Sequence, residues 1–595
     1  MIKKLILTIA LFSCLNSFSQ SQFPQLIKDL NLGYRSSMSS SFVSSHLFEI
    51  GKVNNKLVFA ASNSFVGADT NNINYEMFVS DGTESGTGLL KEINPNGTSY
   101  LRSFYTFRNK VYFQASDGSF EGEKMWVTDG TENGTTVFKN IGFRKFYDNL
   151  NYPNVIDIDS LHFIFSGDSS FSKTNLYISD GTASGTFIIK DFNPTNLSGF
   201  NANAAPGNFT KVANGKFVFT ASTVPLGREV YATDGTNAGT FLLKNINPGN
   251  KDFLNFNDEF TYFHSDGQKA YFFANDSVHG AELWVTDGTI NGTRMVKDIN
   301  PGSGNSLKSL SNFATINGIT YFIATNPLAG TELYKTDGTE AGTSIVMDYR
   351  VGTESGIGDY LLNLNNKLIF FGTNNGLQAN ILSLEANSTS PTALLNVFNS
   401  ATPLSFIPPY PILVKENIFC DKLYFNNSAF ANGASLIQIG VTDGTSAGTG
   451  LILDSLSNPG GAQIDLGFWG SGLIEYNNSL VFRANNGSLG LELFKMPICT
   501  DANTAIDNAI NIQEIKIKND YVVYPNPSST QIKLEIPSSN VSYLLSITDI
   551  SGKIIFEKSE VQNQEIIEHQ LSNGIYFVSL KSEFKTSTKK LIVNR

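Results

Sequence analysis

The sequence predicts an all-β chain, a closed β-propeller of about nine four-stranded blades followed by a small C-terminal β-sandwich. Three observations carry this reading. Asp-Gly-Thr recurs at Asp81, Asp129, Asp180, Asp234, Asp287, Asp337 and Asp443, with steps of 48, 51, 54, 53, 50 and 106 residues. The last step is two units long, so one copy has lost its motif without losing its length. Two incomplete fragments at the ends of this region complement one another. A fixed period near 50 residues means stacked supersecondary units.

A second marker tests the count. It is a turn followed by an apolar strand, as in Asn54-Asn55-Lys56-Leu57-Val58-Phe59, Asn317-Gly318-Ile319-Thr320-Tyr321-Phe322 and Asn477-Asn478-Ser479-Leu480-Val481-Phe482. It occurs nine times, once inside the long gap, where Asn365-Asn366-Lys367-Leu368 precedes a decayed third strand near Ile381 to Leu384. Each unit then parses into strands a to d. Strand a is a loosely alternating segment such as Leu307 to Ala314. Asn-Gly or Asp-Gly, which suits the positive φ of a two-residue hairpin, joins it to strand b. Strand b is rich in β-branched and aromatic residues, as strands are. Strand c reads Glu-Leu-Trp-Val-Thr at Glu282 to Thr286, and Asp-Gly-Thr-x-x-Gly-Thr turns it into strand d, such as Arg294 to Ile299. Asn-Pro-Gly (Asn247 to Gly249, Asn300 to Gly302) ends the unit, where proline stops the strand.

Four antiparallel strands per unit is the blade of a propeller. Leu26 to Asn31 reads as a strand d with nothing before it, and Leu491 to Lys495 as a strand c with no proper d after it. Pairing the two completes a ninth blade and closes a ring, whereas a linear solenoid would carry polar caps. Eight blades with one unit displaced is the alternative.

Composition agrees with many short strands joined by turns: 51 glycines, 46 phenylalanines, 22 tyrosines and only 16% charged residues in 595. The net charge of -11 argues against a nucleic-acid partner, which would require a basic patch. At the N-terminus, Lys3 and Lys4, the apolar run Leu5 to Cys14 and the small-x-small Ser17-Phe18-Ser19 read as an export signal over 1–19, cut near Ser19. A lipoprotein signal would use Leu11 to Cys14, which Phe12 fits badly. No apolar run is long enough to span a bilayer as a helix. Once Cys14 has gone with the signal, Cys420 and Cys499 remain in an oxidising location, where they either pair as a disulfide or persist as two buried thiols.

The propeller region is read as 20–500, a polar linker as 501–520 and the last domain as 521–595. Strand-like runs at Gln531 to Ile536, Tyr543 to Asp549, Lys553 to Glu557, Gly574 to Leu580 and Lys590 to Val593 suggest the sandwich. Tyr524-Pro525-Asn526-Pro527, Ile547 to Lys553, Leu571 to Tyr576 and Lys589 to Val593 occur in order and together resemble the C-terminal sorting domain of the type IX secretion system of Bacteroidota. The resemblance implies Sec export, crossing of the outer membrane, recognition by that secretion machinery, and removal of this domain on release or surface anchoring. The repeats resemble the ELWxxDGT repeat family of secreted bacterial proteins, which implies no activity.

The Asp-Gly-Thr turns offer a carboxylate and hydroxyls, so calcium is the one cofactor to weigh. Calcium needs six to eight oxygens at one point, and each turn offers one carboxylate. An Asx turn, in which Asp accepts backbone N–H groups, explains the motif better. No cofactor or metal residue is assigned. Glu76, Glu229, Glu282, Glu332 and Glu492 share one position, two before the strand c aromatic. A ring of carboxylates around a channel is conceivable, but Lys124, Asn175 and Gln438 interrupt it, so local hydrogen bonding or solvation is preferred. Arg228, Arg294, Arg350 and Arg483 are scattered and His46, His162, His264 and His279 isolated, so no catalytic residues are assigned and an enzyme is disfavoured.

Function is therefore expected on the variable b–c and d–a loops, such as Ala60 to Asn74, Phe143 to Asn154 and Val351 to Gly358, over a rigid scaffold. The expected function is binding or adhesion to a glycan or protein, as a secreted or outer-membrane surface module. The alternatives are a secreted polysaccharide hydrolase or lyase on the same loops, or a passive surface spacer.

Overall fold

The computed structural model describes residues 25–28, 30, 50–62, 74–119, 122–144, 154–168, 173–193, 204–224, 226–248, 263–306, 313–399, 417–431, 434–452, 463–465, 473–485, 491–497, 522–524, 531–535, 543–549, 553–561, 566–581 and 586–593. Its contacts divide into two compact units, Met1–Ala505 and Ile506–Arg595.

Among the described residues the first unit consists of nine antiparallel sheets. Blade 5 is representative: His264–Ser265, Ala270–Asn275, Ala281–Thr286 and Arg294–Lys297 pair in sequence order. Seven further blades follow the same order, blade 3 with an added strand. Hairpin chemistry dictates this. Both a–b turn residues are left-handed in most blades, as at Asn54 and Asn55 (φ 46° and 55°), Asn317 and Gly318 (51° and 78°) and Asn365 and Asn366 (54° and 62°). That is the geometry that matches strand twist and favours Asn and Gly.

The ninth blade is assembled from both ends of the unit. Gln25–Lys28 pairs antiparallel with Leu491–Pro497, Gln25 opposite Lys495 and Leu26 opposite Phe494. Closure is visible in the core. Nine buried clusters each join two blades, and one of them packs Val481 and Leu493 of blade 9 against Leu57, Phe59 and Phe78 of blade 1. An open row of nine blades would have only eight such seams. The nine-blade reading therefore holds over eight.

Several boundaries differ from expectation. Strand d of blade 5 ends at Lys297, because the chain already turns toward the next blade at Asp298. The closing strand ends at Lys28, and strand a of blade 6 is Phe313–Ile316, with 307–312 outside the described residues. The decayed unit forms a full blade whose strand c is Gln378–Glu385. Of the loops expected to vary, Gly142–Arg144 is a strand that pairs with Phe163–Asp168, and Ile357 and Gly358 already belong to strand Ile357–Leu364. Residues 63–73 and 145–153 lie outside the described residues, as do the signal segment 1–19, His46, Cys14, Cys499 and the linker.

The second unit is a β-sandwich. One sheet orders Val522–Tyr524, Gln531–Glu535 and Ile566–Glu568; the other orders Ile554–Val561, Tyr543–Thr548, Gly574–Lys581 and Thr586–Val593. Ile532, Leu534 and Ile567 of the first sheet share a core with Leu545, Ile547, Val578 and Leu591 of the second. The short strand Ile566–Glu568 and the polar start of the last strand, Thr586 to Lys589, carry too little apolar pattern to be seen in sequence.

Candidate functional site

The two ends of each blade differ in chemistry. At one end lie the a–b and c–d turns. In blade 5, Asp287 Oδ1 accepts from Thr289 N (2.9 Å) and Thr289 Oγ1 (2.6 Å). Thr289 Oγ1 in turn accepts from Gly292 N (3.0 Å), and Thr293 Oγ1 donates to Thr289 O (2.7 Å). The pair of Asp contacts repeats at Asp81, Asp129, Asp180, Asp234, Asp337 and Asp443. The threonine hydroxyl bond is the main cause that holds the carboxyls of Asp81, Asp129, Asp180, Asp234 and Asp337 below the usual range. The motif is a self-contained Asx turn. Among the described residues no three His, Cys, Asp or Glu side chains converge as a metal site.

At the other end lie the b–c turns and d–a links. Glu76, Glu229, Glu282 and Glu332 are buried at the start of strand c and aim at the d–a link of their own blade. Glu282 accepts from Ile299 N (2.8 Å) and Asn300 N (3.2 Å), and Glu332 from Tyr349 N (2.9 Å) and Gly356 N (2.7 Å). Glu76 and Glu229 make the same bonds to Ile93 and Ile246. The position is thus a local anchor, and neither a channel ring nor a solvated face. Burial pushes the Glu282 carboxyl up to about 7 and Glu332 to about 8 against the backbone donors that oppose it, and raises Glu76 as well. Lys124 instead reaches Asp117 at 3.0 Å. The side chains of Glu492 and Gln438 lie outside the described residues.

The d–a link carries a second brace that sequence reasoning missed. The residue after the anchored amide is Asn247 in blade 4 and Arg350 in blade 6, and Asn193 holds the same place in blade 3. Val224 N, in the b–c turn of blade 4, donates to Asn193 Oδ1 (3.1 Å), and Ser277 Oγ, in that of blade 5, donates to Asn247 Oδ1 (2.6 Å). Asn326, in blade 6, donates to Ile299 O of blade 5 (2.7 Å) and accepts from Leu328 N (2.9 Å). The b–c turns of blades 4, 5 and 6 are therefore each tied to the preceding blade. The signal was present as the recurrent Ile-Asn-Pro, which also reads as a plain turn.

On this braced face three successive blades present aliphatic tips. Val224 is 50% exposed, Val278 65%, Leu328 82%, and Val351, in the link that follows, 89%. Asp276 Oδ1 fixes the Val278 turn through Val278 N (2.9 Å) and His279 N (2.8 Å), and Asp276 Oδ2 meets His279 Nδ1 at 2.8 Å. That contact raises the His279 imidazole. Among the described residues the arginines and histidines do not converge. Arg228 reaches Ala205 O and Thr220 Oγ1, Arg294 donates to Gly338 O, and Arg350 approaches Glu354 at 3.7 Å. His162 faces Asp159 and His264 faces Thr315. The side chain of Arg483 lies outside the described residues.

Residues 522–594 match the family described as secretion system C-terminal sorting domain. The chain is a secreted or cell-surface protein. The type IX machinery that reads such domains is accordingly a partner of its C-terminal unit, and among the described residues no helix is long and apolar enough to cross a membrane. No curated protein matches the chain. Among solved structures it is similar to a prolyl oligopeptidase B from Galerina marginata (10% identity, TM-score 0.33, 65% of this chain and 55% of that one). It is also similar to a puromycin-hydrolyzing peptidase from Mycobacterium tuberculosis (10%, 0.29, 70% and 61%). A third is the β-propeller domain of the trilobed protease from Pyrococcus furiosus (12%, 0.27, 59% and 97%). The chain thus spans 55% and 61% of the two peptidases.

Proposed function

We propose that the propeller is a displayed binding module that engages another protein through the aliphatic tips of blades 4 to 6. The observation that carries this is the exposure of Val224, Val278, Leu328 and Val351 on one face. Turn tips of this kind are ordinarily polar. The backbone N–H groups of Val224, Val278 and Leu328 are already hydrogen-bonded, so little freedom is lost on contact, which favours affinity. Exposed apolar groups rimmed by polar ones mark interaction surfaces. Aliphatic tips suit a protein surface better than sugar, which prefers aromatic platforms.

A glycan is the second reading, favoured by Tyr100, a 55% exposed aromatic in the link from blade 1 to blade 2. Export with loss of 1–19 near Ser19 and delivery by the C-terminal unit complete the proposal. The test uses purified secreted protein and its Val278→Asp/Leu328→Asp variant on immobilised extracellular proteins, a glycan array and a polysaccharide panel. Protein binding that falls at least about tenfold in the variant supports the reading, since central interface side chains contribute more than about 1 kcal/mol each. Glycan binding that the variant retains would move the site to Tyr100, and polysaccharide depletion would replace binding with hydrolysis or lysis.

A further inference from the structure

The anchor position of strand c has a regular companion sixteen residues further on, at the start of the d–a link. The pairs are Glu76 and Glu92, Lys124 and Asn140, Asn175 and Asp191, Glu229 and Asn245, Glu282 and Asp298, and Glu332 and Asp348. In blade 3 the two positions meet: the Asn175 amide, turned so that its nitrogen faces acceptors, donates to Asp191 Oδ1 (3.3 Å). In the next three blades the companion keeps an oxygen, Asn245 Oδ1, Asp298 Oδ1 or Asp348 Oδ1, that is buried and without a hydrogen-bond partner among the described residues. An orphaned buried acceptor is costly and calls for a donor.

The composition of the pairs says what that donor is. Blades 2, 3 and 4 carry an N–H donor within the pair, in Lys124, Asn175 and Asn245. In blade 1, Glu92 is exposed. Blades 5 and 6 set carboxyl beside carboxyl, so the only donor the pair itself can offer is a proton. Glu282 and Glu332 are fully buried. Burial is the main cause that raises both carboxyls, and Asp298 and Asp348 add to it. Two carboxyls that share a site hold one proton between them.

We propose that Glu282 shares one proton with Asp298, and Glu332 one with Asp348, and that loss of these protons in mildly alkaline surroundings releases the links that carry the aliphatic tips. Deprotonation sends each proton to solvent and leaves two carboxylates side by side. Asp298 and Asp348, which are half-buried, then swing outward, since the glutamates are enclosed. Asp348 Oδ2 accepts from Gly352 N (3.2 Å), so its departure frees the turn of Val351. Asp298 precedes Ile299, whose carbonyl receives Asn326 Nδ2 and so steadies the turn of Leu328. The pairs thereby regulate the binding face proposed above, and only this consequence rests on that reading. The other titratable or charged groups near the pairs are Tyr334 for both, His279 with Asp276 for the first, and Arg350 with Glu354 for the second. Tyr334, pushed up to about 12 by burial, stays neutral, and Arg350 stays charged.

The test is amide hydrogen exchange of the secreted full chain at about pH 5.5 and about pH 8.5, corrected for the intrinsic rate, in wild type and in Asp298→Asn/Asp348→Asn. Asparagine gives blades 5 and 6 the amide that blade 4 already carries, and leaves His279 in place. The expected result is protection at Leu328 N and Gly352 N that falls roughly tenfold or more at the higher pH in wild type and stays constant in the variant, with Ala270–Asn275 unchanged in both. Infrared difference spectra should show protonated-carboxyl bands lost over the same range in wild type only. Glu282→Gln/Glu332→Gln puts the donor on the other partner and should match the asparagine variant, so the test stands even where one of the two fails to fold. Wild-type protection that is equal at both pH values, or a loss that both variants retain and that His279 then explains, would overturn the proposal. No partner enters these measurements, so failure to capture a protein counts against the binding face alone.

Discussion

The Asp-Gly-Thr turn makes a quantitative claim that a double-mutant cycle can break. Gly288 is left-handed (φ 79°), so its glycine is conformational, but Gly292 lies outside that region. Its requirement is spatial: a Cβ there would stand 2.0 Å from Asp287 Oδ1, 2.3 Å from Cγ and 2.5 Å from Oδ2. Gly292→Ala must expel the carboxylate and release Thr289 N and Thr289 Oγ1. Hydrogen bonds to a charged acceptor are worth about 1.5–3 kcal/mol net, and this pair is half-exposed, so a loss of about 2–3 kcal/mol is expected. Asp287→Ala should cost about the same. Once the carboxylate is gone Gly292→Ala has nothing to displace, and should be neutral or stabilising by about 0.5 kcal/mol through the unfolded chain. The four proteins are compared by urea midpoints. A coupling of about 2 kcal/mol is expected; an alanine penalty that is the same in both backgrounds, within about 0.5 kcal/mol, would refute the account of why the motif ends in glycine.

The buried anchors predict a pH dependence of unusual sign. Glu282 and Glu332 have folded-state values near 7 and 8 against an ordinary 4.5, so the folded protein holds more protons between those values, and this contribution to stability falls as pH rises from about 4.5 to 8. For Glu282 the full shift corresponds to about 3 kcal/mol, and Glu282→Gln should flatten the slope in a series of urea melts. The turn carboxylates, lowered in the folded state, act oppositely: their contribution is present above about 4 and is lost as pH falls below it. Asn326→Ala should cost about 1–2 kcal/mol and speed hydrogen exchange at Leu328 N. Ile27→Asp places a charge in the buried seam of blades 9 and 1 and should cost about 4 kcal/mol or more, read as a lower melting temperature with protease cleavage before residue 50.

The blade count was legible because two different turns, one needing left-handed Asn or Gly and one needing an Asx geometry, mark the same unit independently. The closing strand was legible because a strand cannot leave its ladder unpaired, which set the orphan strands that begin at Leu26 and Leu491 against each other. The anchors were half-legible. Glu76, Glu229, Glu282 and Glu332 each lie 17 residues before the amide they hold, a constant spacing that a search along the chain could have found. The tips were not legible, since Val278 and Leu328 sit in loops where a lone aliphatic residue has no period, and only the fold places them on one face.

The pairing of Gln25 with Lys495 joins residues 470 positions apart in the chain. Such a contact closes last, because its loop entropy is the largest in the molecule. Blades 1 to 8 can stack on one another as they emerge, but the ring stays a split washer until the residues just before the linker are made. An N-terminal fragment lacking 491–497 therefore keeps an unsatisfied strand at one end and an open flank on blade 1. Completion of the ring reports completion of the propeller chain, and a truncated product betrays itself by a sticky edge that the finished protein does not show.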